Sequence, residues 1–72
     1  MKPCNQNICD LLEYTRKLLF LADKGDLQRD DDGCGVLFGI VRDSAYKMKA
    51  MAEAERGRHI ANGKWDAERE ND

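Results

Sequence analysis

The chain has 72 residues, 14 acids against 12 bases for a net charge of −2, and 14 positions filled by Leu, Ile, Val or Phe. That length holds one small domain and excludes a second; a chain this short buries only roughly 60% of its unfolded surface. The share of large apolar residues lies near the ~20% below which chains stay disordered, but that rule also asks for a high net charge, which is absent here.

The first residues, Met1 to Asn5, lead into an amphipathic stretch and not into the apolar core of an export signal. The longest apolar-plus-glycine run, Gly33 to Val41, is about half of the ~20 residues that a bilayer span needs. A soluble cytoplasmic protein is expected, with no membrane partner.

A first helix is predicted over residues 5–25, because Ile8, Leu11, Leu12, Thr15, Leu18, Leu19 and Ala22 follow the spacing of one buried stripe. Asn5 or Asn7 is the expected N-cap, and Lys24-Gly25 the expected end. A polar turn then leads to Asp30, Asp31 and Asp32, carboxylates suited to the positive end of a second helix. This second helix is predicted over 32–61, with the stripe Cys34, Leu37, Val41, Ala45, Met48, Ala52 and Glu55. Gly33, Gly35 and Gly39 weaken its first turns, Gly57 is a point where it could end early, and a short strand over Val36–Val41 is the competing assignment. Asn62-Gly63 is a second stop signal, and 63–72 is a charged tail carrying Trp65.

Two helices and a short polar turn make an all-α antiparallel hairpin, one domain over 1–72. A turn centred near Gln28 sets Ile8 against Met48, Leu11 against Ala45, Thr15 against Val41, Leu19 against Leu37, and Ala22 against a buried Cys34. The three cysteines, Cys4, Cys9 and Cys34, are an odd set. In this register Cys34 is ~35 Å from the other two, so reduced thiols are expected.

Around the turn the helices are apolar on most sides. Leu18, Leu19, Phe20, Leu21, Gly35, Leu37, Phe38, Gly39, Ile40 and Val41 form the expected oligomer interface, since a hairpin alone leaves several of them in water. The simplest outcome is a homodimer forming a four-helix bundle. The competing arrangement is a monomer whose apolar tip is covered by the tail, with Trp65 folded back over it.

Sites for chemistry are weak by comparison. Asp30 to Asp32 lack the remaining ligands of a calcium loop, and helix capping explains them better. Gly33-Cys34-Gly35 has no Lys-Ser or Lys-Thr after it, so it is no phosphate loop. His59, the only histidine, sits between Arg58 and Ile60 with no nearby nucleophile. Arg42, Asp43 and Tyr46 are expected beside Glu13 and Tyr14 as an ion-pair set fixing register. The sequence thus predicts no catalytic residue, metal or cofactor. Lys47, Lys49, Arg56, Arg58 and Lys64 with Trp65 could touch nucleic acid, but Glu53 and Glu55 interrupt that basic face.

The stretch from Leu18 to Trp65, including LADKGDLQRDDDGCGVLFGIVRDSAYKMKAMAEAERGRH and GKW, resembles short uncharacterised bacterial helical-hairpin proteins. The resemblance covers about two-thirds of the chain and implies a hairpin and a bacterial cytoplasm, with no function or site attached. The expected function is a self-associating interaction or regulatory module, not an enzyme. Its main partner is a second copy, with room for an unidentified protein. The alternative is a nucleic-acid-associated regulator using the basic distal half of the second helix.

Overall fold

In the computed structural model, which describes residues 1–65, the chain forms two helices and, among the described residues, no strand: α1, Pro3–Leu27, and α2, Asp32–Ala61. They lie against each other as an all-α hairpin measuring 48 × 20 × 15 Å. The second helix has the predicted bounds; the first is longer at both ends. Pro3 opens α1, where a fixed φ suits the first turn and a missing N–H costs nothing. Neither Asn5 nor Asn7 is the cap: the preceding extended residue is Lys2, with no side-chain capping bond.

Gly25 does not end α1. The helix continues to Leu27 and closes with the Gln28 N–H on the Lys24 carbonyl at 3.0 Å. The missing side chain serves packing instead, since a Cβ on Gly25 would lie 2.6 Å from the Phe38 ring. Asp31 caps α2 as its position suggests, accepting from the Cys34 N–H at 2.8 Å. Val36–Val41 is helical, and Gly57 lies within the helix. At the far end, Gly63 (φ 72°) takes the left-handed conformation. The Lys64 and Gly63 N–H groups then bond the His59 and Ile60 carbonyls at 2.8 and 3.1 Å, which is a Schellman ending.

The seam between the helices is built from small residues. Ile8, Thr15 and Ala22 are buried on α1, and Ala45 and Ala52 on α2. In each helix these positions repeat every seven residues, as in a coiled coil. Thr15 has no access to solvent and donates its hydroxyl to the Leu12 carbonyl at 2.8 Å.

The register differs from the one predicted. Ile8 clusters with Ala52 and Trp65 instead of facing Met48, and Phe38 covers Gly25. Arg42 reaches Asp23 and Asp26, at 3.0 and 3.7 Å, instead of joining Glu13 and Tyr14. Symmetry about the turn is thus a poor guide. The alanines and Thr15 set the register, because only they admit a close helix–helix approach. Turning Ala45 and Ala52 inward rolls Leu37 onto the flank, half exposed, and leaves Cys34 only partly buried. Trp65 does fold back, but onto Ile8 and Ala52 at the end remote from the turn.

Candidate functional site

Successive residues point about 100° apart around a helix. With Thr15, Ala22, Ala45 and Ala52 in the seam, the hairpin therefore has two unlike broad faces. One is charged. It carries the Asp23–Arg42 ion pair and a shallow groove of about 330 Å³ lined by Cys9, Leu12, Glu13, Arg16, Lys49, Glu53 and Arg56. Within it Lys49 faces Glu53 at 3.6 Å, and the Arg16 guanidinium, bonded to Glu13, holds that carboxyl below its ordinary value.

The opposite face is apolar. Leu11, Tyr14, Leu18 and Leu21 follow one another along its α1 edge, at spacings of three and four. Leu37, Val41, Ser44, Met48 and Met51 do the same along α2. Near the turn, Leu21, Gly25, Cys34 and Phe38, together with the charged Lys24, Arg29 and Asp30, surround a hollow of about 290 Å³ on this side.

The predicted interface residues divide between these surroundings. Leu21, Leu37, Ile40 and Phe20 are exposed at 47, 53, 59 and 73%. Leu18, Leu19, Gly35, Phe38, Gly39 and Val41 are half-buried. Leu18, Leu21, Leu37 and Val41 lie on the apolar face, with Ile40 at its outer margin. Leu19 and Phe38 border the seam. Phe20 points away from the apolar face. Gly35 has its bare side against Arg29, whose Cδ would be 3.0 Å from an added Cβ; Gly39 opens on empty space.

A third arrangement, at the end remote from the turn, escaped the sequence reading. Asn5 is buried; its amide nitrogen donates to the Lys64 carbonyl at 2.7 Å, and its oxygen meets His59 Nδ1 at 2.7 Å. The other ring nitrogen of His59 lies 3.5 Å from Glu55. Glu55 is bonded to Arg58, which with His59 keeps its carboxyl below the ordinary value. Asn5 precedes Ile8 by three, so it extends the buried stripe by a turn; that spacing was the available signal, read as a cap instead. Cys4, Cys9 and Cys34 form no disulfide with one another, and among the described residues no three His, Cys, Asp or Glu side chains gather as a metal site. No described helix is long and apolar enough to cross a membrane. No protein-family model, curated protein or solved structure matches the chain.

Proposed function

We propose that the chain is a self-associating α-helical protein of the bacterial cytoplasm, an interaction or regulatory module and not an enzyme, whose hairpin pairs with a second copy into a four-helix bundle. One observation carries this reading: Phe20, Leu21, Leu37 and Ile40 stay exposed while the seam is made mainly of alanines and a threonine. Apolar surface of that extent is unusual on a lone soluble domain and is ordinarily covered by a partner. A nucleic-acid role draws less support, because Glu53 and Glu55 face Lys49 and Arg58 and offset the charge a phosphate would need. Size-exclusion chromatography with light scattering at micromolar concentration tests self-association. The expected mass is at least twice the 8.2 kDa of one chain, and a clean single-chain mass rules it out.

A further inference from the structure

The apolar surface has a definite shape. Along α1 the flank from Leu11 to Leu21, and along α2 the flank from Leu37 to Met51, carry no charged residue at the positions facing this side. All the ion pairs between the two helices involve Arg42 and lie on the other face. The uncharged surface therefore continues beyond the turn-proximal half into the distal arm, through Leu11, Met48 and Met51. It does not wrap around the helices to Phe20.

We infer that this single face, with Leu18, Leu21, Leu37, Val41 and Met48 along it, is the self-association surface, and that its occupant is the same face of a second copy. The inference rests on the self-association proposed above and specifies where it occurs. The stretch from Leu37 to Met51 is about 20 Å long at ~1.5 Å per residue, on a hairpin 20 Å across, so the pairing is a small one beside the roughly 800 Å² per partner of standard interfaces. A second copy is selected because a face with no charged residue at its own positions is self-complementary about a twofold axis; the Lys17 ammonium, 5.9 Å from the centre of the Tyr14 ring, marks its edge. The charged faces then point outward, and four helices enclose a core that the alanine seam of one hairpin cannot supply.

Lysine substitutions at exposed positions separate this face from the rest of the apolar surface. Ser44→Lys and Met51→Lys place a charge on the face, at side chains outside the hairpin's own seam. Phe20→Lys and Val36→Lys place one at equally exposed apolar positions pointing away from it. Analytical ultracentrifugation should show self-association weakened at least about tenfold by each of the first pair and altered less than about twofold by each of the second. Unfolding of the first pair's separated chains, read by circular dichroism, would also fit, because these side chains bear on the partner and not on the seam. If the unsubstituted protein is monomeric, self-association itself fails. If it associates but is sensitive at Phe20 or Val36 and insensitive at Ser44 and Met51, or insensitive at all four, self-association stands and this face is the wrong one.

Discussion

Gly25 is the residue whose role changes most between sequence and structure. A glycine after a lysine reads as a helix end, yet here it sits inside α1 under the Phe38 ring. Gly25→Ala would gain about 1 kcal/mol of helix propensity. The ring must be displaced, and overpacking of that kind costs about 1–3 kcal/mol. Gly25→Ala should therefore lower stability in urea denaturation, and Phe38→Leu in the same chain should recover part of the loss by non-additivity. Asn5→Ala leaves the Lys64 carbonyl and His59 Nδ1 without their buried partner, a loss of about 1–3 kcal/mol measurable the same way. Asp31, by contrast, was legible from sequence, because a cap is a local matter of side chain and neighbouring N–H. The Cys34 backbone N–H holds its carboxyl below the ordinary 3.8. A depressed carboxylate contributes stability in full above that value and loses it as the pH falls further. Arg16 and Arg58 act alike on Glu13 and Glu55, whose ordinary value is 4.5. Melting temperature should thus hold near neutrality and decline below about pH 4.5, and Asp31→Ala should lower the neutral value and flatten the acid decline.

At the scale of the helices, the existence of both, the bounds of the second and the inward side of the first were readable; the ends of the first, the roll of the second and the register were not. The second helix begins at an aspartate cap and ends at Asn62-Gly63, both local signals, and the structure places it over the predicted residues. Which stripe faces inward depends on how closely two backbones approach, a property of the pair. Large aliphatics mark the apolar side of α2, yet the seam takes Ala45 and Ala52, because small residues allow tighter packing. The stripe led by Leu37 and Val41 is displaced by part of a turn and becomes a flank. Ala45→Leu tests this orientation. It should destabilise the hairpin by about 1–3 kcal/mol, as expected for forcing methylenes into a packed seam. If Ala45 lay on the flank, the same change would be neutral or stabilising.

Taken whole, the molecule is a single thin layer of two helices with unlike sides, which explains how a sequence so sparing in large apolar residues can still need a partner. Thirteen of its 14 Leu, Ile, Val and Phe residues fall between Ile8 and Val41, and few of them are consumed by the seam. If association completes the core, melting must depend on concentration. A tenfold rise in protein should raise the melting temperature in calorimetry, whereas a concentration-independent transition would argue for a self-sufficient chain. The Asn5–Lys64 bond joins positions 59 residues apart, so it has a kinetic consequence as well. A contact that closes nearly the whole chain is entropically the last to form and should be absent from the folding transition state. Asn5→Ala should therefore leave the refolding limb of a chevron plot almost unmoved and raise the unfolding limb at unchanged slope, with unfolding faster by most of the equilibrium change. The clasp at the open end of the hairpin thus governs how long the folded chain lasts, and hardly at all how quickly it is reached.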